Sequence, residues 1–152
     1  MSQVPNPANR VAAECLAGRF RILNRVITGI YDDAFRPHGV RISQMNVMVV
    51  IADRGPVRAS DVCRLLQLDK STLSRDLDRL LDRGWVRSTP AEGRAQDLEV
   101  TPAGRALIEK LMPAWEEAQK RVHELIGPEL AQGLFAAVGK IRQANSGSAA
   151  SG

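Results

Sequence analysis

Between Leu68 and Trp85 the chain reads LDKSTLSRDLDRLLDRGW. Lys70, Ser71, Thr72, Ser74 and Arg75 gather ammonium, hydroxyl and guanidinium donors into two turns of a helical pattern. Those are the groups that bind phosphate oxygens and base edges. Asp69, Asp76, Asp78 and Asp82 are interspersed and argue instead for an ordinary solvated face. Position decides between the two. At 100° per residue from Lys70, Leu73, Leu77, Leu80 and Leu81 share one sector, while Ser71, Thr72, Arg75 and Arg79 lie opposite. Asp69 is a good N-cap, and Asp78 and Asp82 fall towards the rear, where they can balance Arg79 and Arg83. The front half is left with unbalanced donors at the helix end that already favours anions.

Other chemistries are poorly served. Cys15 and Cys63 form no CxxC pair, and His38 and His123 have no companion at metal-ligand spacing. Neither cysteine is spaced from a histidine to suggest a nucleophile and its base, and there is no glycine-rich phosphate loop. The reading is therefore not an enzyme and carries no cofactor or metal.

A donor face of this kind needs a scaffold, and the periodicity supplies one. Leu16, Phe20, Leu23, Ile27, Ile30 and Ala34 predict one long helix from about Arg10 to Phe35, with Ile22 and Val26 widening its apolar stripe. A face that broad suits a helix shared between two subunits. Pro37 and Gly39 end it; Ser43 is placed to cap a second helix, apolar nearly all round and hence central. Gly55-Pro56 makes a turn, and a short helix spans about Ala59–Leu66. After Gly84 the period drops to two on either side of Pro90 and Gly93, which predicts a β-hairpin with Arg94 near its tip. Thr101-Pro102 opens a further helix, Pro113 should kink it, and Gly127-Pro128 should separate a last one.

Short helix, brief link, helix with exposed donors and then a hairpin is the order of a winged helix-turn-helix. The fold expected is mainly α, with a small β-hairpin wing and a helical dimerisation region. Charge agrees: residues 54–94 hold 9 basic and 6 acidic groups, net +3, while residues 95–152 hold 6 and 7, net −1. Residues 1–9 and 145–152 are expected to be disordered tails, and residues 37–100 the DNA-binding lobe. No run of 18 apolar residues occurs, and MSQVPNPANR lacks a signal-peptide core, so a cytoplasmic location away from membranes is expected.

ASDVCRLLQLDKSTLSRDLDRLLDRGWVRS, EGRAQDLEVTPAGRALIEKL and YDDAFRPHGVRISQMNVM resemble the MarR family of winged helix-turn-helix regulators over roughly residues 12–142. The resemblance implies a homodimer, with residues 10–36 and 101–144 as its dimerisation region, on a pseudo-palindromic duplex, and a repressor released by a small, aromatic or anionic effector. By position, Ser71, Thr72, Ser74 and Arg75 would meet base edges and phosphates, Lys70 the backbone, and Arg94 would be the wing-tip arginine. Arg79 lies on the same outer face. Family wings carry further arginines where this one reads Ala95-Gln96, so fewer ionic contacts are expected, with Glu92 placed to brace Arg94. Candidate effector-lining residues are Arg19, Tyr31, His38, Met45, Met48 and Trp115; plain packing is the competing role for the methionines and Trp115. Some relatives sense peroxide through a cysteine near the start of the first helix, and Cys15 lies there with Arg19 one turn on. Thiol-based sensing through Cys15 and a helical interaction module that binds no DNA are the alternative readings.

Overall fold

The computed structural model describes residues 6–149. Tail residues 1–5 and 150–152 lie outside that range. Pro7–Glu14 form helix α1, capped by Asn6, and the final helix continues to Ala149, so residues 7–9 and 145–149 of the expected tails are helical.

Leu16–Phe35 form α2, separated from α1 by Cys15, whose φ of −69° and ψ of 113° are extended. The single helix expected from Arg10 is thus two. The break is held by Arg19, whose guanidinium donates to the carbonyls of Ala12 and Cys15, both at 3.1 Å. Those are carbonyls that the end of α1 leaves free.

A 3-10 turn over Arg36–His38 leads to α3, Ile42–Arg54. Ser43 lies inside α3 and does not cap it. The Asp32 carboxylate accepts the Ile42 N–H at 2.8 Å instead, a cap borrowed from α2 that local spacing does not reveal. Met45, Val47, Met48 and Ile51 are buried, as a central helix requires, although Val49 is exposed. Strand β1 is only Val57–Arg58, followed by α4, Ala59–Leu66, and α5, Lys70–Asp82. Strands β2, Val86–Pro90, and β3, Gln96–Val100, form the predicted hairpin, with Val86 opposite Val100 and Ser88 opposite Leu98. β1 pairs antiparallel with β3, Val57 opposite Leu98, giving a three-stranded sheet of order β1-β3-β2 rather than a lone hairpin.

Helix α6 spans Pro102–Ala149 and is interrupted at Gly127, where φ is 77° and ψ is 163°. That is the predicted break before Pro128. A non-glycine residue would be strained there.

Two apolar clusters organise the chain. The larger joins Phe35, Met48, Ile51, Val62, Leu73, Leu80, Val86 and Leu98, and so locks α5 and the sheet onto α3. The smaller places Tyr31 of α2 against Ala118 and Val122 of α6. Trp115 packs against both, coupling the helical region to the lobe. Among the described residues no helix is long and apolar enough to cross a membrane.

Candidate nucleic-acid interface

Helix α4 ends at Gln67, whose φ of 53° is left-handed; its side chain donates back to the Arg64 carbonyl at 2.9 Å. This reversal, with Leu68 and Asp69, turns the chain into α5. Asp69 is the N-cap: its carboxylate accepts the Thr72 N–H at 2.7 Å and the Ser71 hydroxyl at 2.8 Å. The Thr72 backbone, then the Ser71 and Thr72 hydroxyls and the charge of Arg75, hold the Asp69 carboxyl below its ordinary range.

Leu73, Leu77 and Leu80 bury the inner face of α5, whereas Leu81, expected beside them, is 38% exposed. Lys70, Ser71, Ser74, Arg75 and Arg79 are exposed on the outside and Thr72 is half-buried. Among the described residues, Lys70, Arg75 and Arg79 form no ion pair. The expected balancing of Arg79 and Arg83 by Asp78 and Asp82 is absent too: Arg83 lies over the Trp85 ring, 5.2 Å from its centre. The donor face is therefore less neutralised than acid spacing suggested, because solvated aspartates on separate turns gain little from closing such pairs.

The exit of α5 is rigid. Gly84 adopts φ 70°, its N–H bonds the Leu81 carbonyl, and Trp85 N–H bonds that of Leu80, both at 3.0 Å. Thr101 then ties the start of α6 to this corner, its hydroxyl donating to the Gly84 carbonyl at 2.6 Å and accepting the Gly104 N–H at 3.1 Å. Arg87 and Glu99 pair across the strands at 2.7 Å, and Arg94 stands exposed in the turn that joins them. Arg94 makes no ion pair or side-chain hydrogen bond among the described residues, so Glu92 does not brace it here.

Of the six effector candidates, Tyr31, Met45, Met48 and Trp115 fall within two clusters that Trp115 joins, while Arg19 and His38 lie apart from them. Met45 and Met48 are core, Trp115 bridges the two clusters, and Arg19 caps the α1–α2 break. The Tyr31 hydroxyl donates to Gln119, and burial pushes its phenol pKa up. His38 is half-buried on the 3-10 turn. Cys15 is half-buried at the helix break, and no hydrogen bond reaches its sulfur among the described residues. Gln44 escaped notice in the sequence. It is the one buried polar side chain among the described residues, and its only local signal is an amide on a helix otherwise apolar on that side.

The MarR family model matches residues 38–95, the span from the 3-10 turn to the wing tip. The regulator PecS of Dickeya dadantii is 24% identical over 131 residues, 83% of this chain and 79% of that protein. The crystal structure of the M. tuberculosis transcriptional regulator MosR in complex with DNA superposes with a TM-score of 0.72 at 27% identity, covering 86% of this chain and 98% of the other. A mutant MarR from E. coli complexed with operator DNA shares the fold, with a TM-score of 0.75 at 18% identity, covering 86% of this chain and 96% of that one.

Proposed function

Starting from this chain's membership of the MarR family of winged helix-turn-helix transcriptional regulators, we propose that it is a homodimeric repressor of a pseudo-palindromic DNA site. The observation that carries the reading is the outer face of α5. Lys70, Ser74, Arg75 and Arg79 are exposed and free of ion pairs, on a helix pinned by Leu73, Leu77 and Leu80. A helix held this firmly with unneutralised donors outward is suited to the major groove. Ser71 and Thr72 sit at its capped end, where they support phosphate contact more than base reading. Arg94, on the wing, is suited to a phosphate or a minor groove.

Dimerisation is supported by apolar surface that the single chain leaves uncovered. Leu16, Phe20, Ile22 and Val26 of α2 and Leu125 and Leu130 of α6 line one open groove of about 590 Å³. Phe20 is 51% exposed and Phe135, further along α6, 70%. Patches of this kind on helices mark an interface. A second copy presenting the same surface would cover them and set two α5 helices for two half-sites. An effector that favours a different spacing of those helices would lower DNA affinity; the finer proposal is that this effector is small and aromatic or anionic. Such a regulator would work in the cytoplasm.

The test is a mobility-shift titration on the DNA upstream of the protein's own gene, with sedimentation equilibrium on the same preparation. A dimer that retards the duplex supports the reading. A chain that binds no duplex would instead be the helical interaction module.

A further inference from the structure

Four elements meet at one corner of the lobe. The Trp85 backbone serves two of them. Its N–H donates to the Leu80 carbonyl near the end of α5, and its carbonyl accepts the Thr101 N–H at the start of α6, both at 3.0 Å. The Thr101 side chain closes the corner: its hydroxyl donates to the Gly84 carbonyl at 2.6 Å and accepts the Gly104 N–H at 3.1 Å. A hydroxyl has one proton to give, so both of its roles are filled at once, by groups on either side of the corner. Val86 opposite Val100 joins β2 to β3 beside it. The packing has no slack, since a Cβ at Gly104 would stand 2.1 Å from the Trp85 carbonyl oxygen and 2.8 Å from Val100 Cγ1.

The helix that leaves this corner reaches the far end of the molecule. From Pro102 through Pro113 to Ile126 the backbone of α6 stays helical, and it is first interrupted at Gly127. That span is about 37 Å long at about 1.5 Å per residue. Along it, Leu111 is buried in the core of the lobe, Ala118 and Val122 pack with Tyr31 of α2, and Leu125 and Ile126 line the open apolar groove. The end of α5 and that groove therefore stand at opposite ends of one rod. A tilt of about 5° at the corner would move the far end by about 3 Å, close to the rise of about 3.4 Å per base pair.

We propose that Thr101 is a positioning residue for DNA recognition. By locking α5 to α6 it fixes how far apart two α5 helices sit, and hence which half-site spacing a dimer accepts. It acts through Gly84 and Gly104 rather than on the duplex. This deepens, and rests on, the reading of the chain as a dimeric DNA-binding regulator. To engage half-sites one base pair too near or too far, α5 must turn relative to α6, and that turn breaks the two hydrogen bonds of the Thr101 side chain. The cost falls on the wrong spacing and not on the right one. A residue that only held the fold together would weaken every duplex alike.

The test is the affinity of the full chain for three duplexes, measured by mobility shift. One is the footprinted site from the DNA upstream of the protein's own gene; the others have one base pair added or removed at its centre. Wild type should prefer the native spacing. Thr101→Val keeps the shape of the side chain without its hydroxyl, and should shrink that preference on the order of tenfold, the scale of a lost hydrogen bond. Thr101→Ala removes the same hydroxyl with no methyl in its place, and carries the test where the valine variant fails to fold. Thr101→Ser should restore the wild-type preference. An unchanged preference in both hydroxyl-free variants, an equal loss in the serine variant, or a wild type indifferent to spacing overturns the assignment while the DNA-binding reading stands. A wild type that binds no duplex overturns that reading and the assignment with it.

Discussion

The Asp69 carboxylate accepts the Thr72 backbone N–H at 2.7 Å, so the cap of α5 is built from the residues that open its donor face. Ser71 donates to the same carboxylate. Order at the tip of the helix and access to DNA are therefore coupled, with Arg75 one turn further on free to reach outward.

Removing the cap should loosen that tip. Asp69→Ala is expected to lower the melting midpoint and to weaken duplex binding although Asp69 is an acid. The sign of the pH effect follows from its depressed pKa. The contribution is fully present above the ordinary carboxylate range and is lost as pH falls through the lower, folded value. Melting curves of both proteins at several acidic pH values should therefore converge at the lowest pH; a constant gap would show that the ionised cap is not responsible.

Arg75 and Arg94 should fail differently. Arg75→Ala is expected to cost about 1–3 kcal/mol and to relax preference at one position in each half-site. Arg94→Ala should weaken all sequences alike and reduce the salt slope by roughly 2 for a dimer, about 0.9 per lost phosphate contact. Competition titrations against single-base operator variants separate the two. Equal, sequence-independent losses from both variants would mean that α5 reads no base through Arg75.

Gly104 is a packing constraint of another kind. A Cβ built there lies 2.1 Å from the Trp85 carbonyl oxygen and 2.8 Å from Val100 Cγ1. Gly104→Ala should therefore destabilise by about 2–3 kcal/mol by forcing α6 away from the end of α5. Urea unfolding measures this, and a change under about 0.5 kcal/mol would show that the corner yields easily.

Tyr31 is the single tyrosine of the chain, so its ionisation can be followed by ultraviolet absorbance without overlap from another phenol. Burial raises its pKa, and the neutral hydroxyl is bound by Gln119. Its contribution is then complete below the ordinary phenol value and lost as pH rises through the folded one. Tyr31→Phe should cost about 1 kcal/mol at neutral pH. Ionisation at or below the free phenol value would contradict the buried placement.

These positions also mark where the sequence was readable. Leu73, Leu77 and Leu80 recur at helical spacing, and Asp69 sits where a cap belongs, so α5 and its donor face were evident from local pattern. Gly127-Pro128 marked the break in α6 by backbone chemistry alone. The break at Cys15 was not evident, because Val11 to Ile27 keep apolar periodicity across it and the stabilising bonds come from Arg19 in the next helix. β1 is two residues long and exists only through its pairing with β3. The Asp32 cap and the burial of Gln44 likewise depend on contacts between elements, which periodicity does not encode.

The central claim is that α5 and the wing bind duplex DNA, and the measurement that tests it most directly is duplex affinity as a function of salt. With Lys70 and Arg94 of two subunits on phosphates, about four counterions are released. Affinity for the protein's own upstream DNA should then fall roughly a hundredfold between about 50 and 200 mM salt. Retardation that follows this slope and is lost on a scrambled duplex supports the account. No binding at low salt, or binding indifferent to salt, would contradict it.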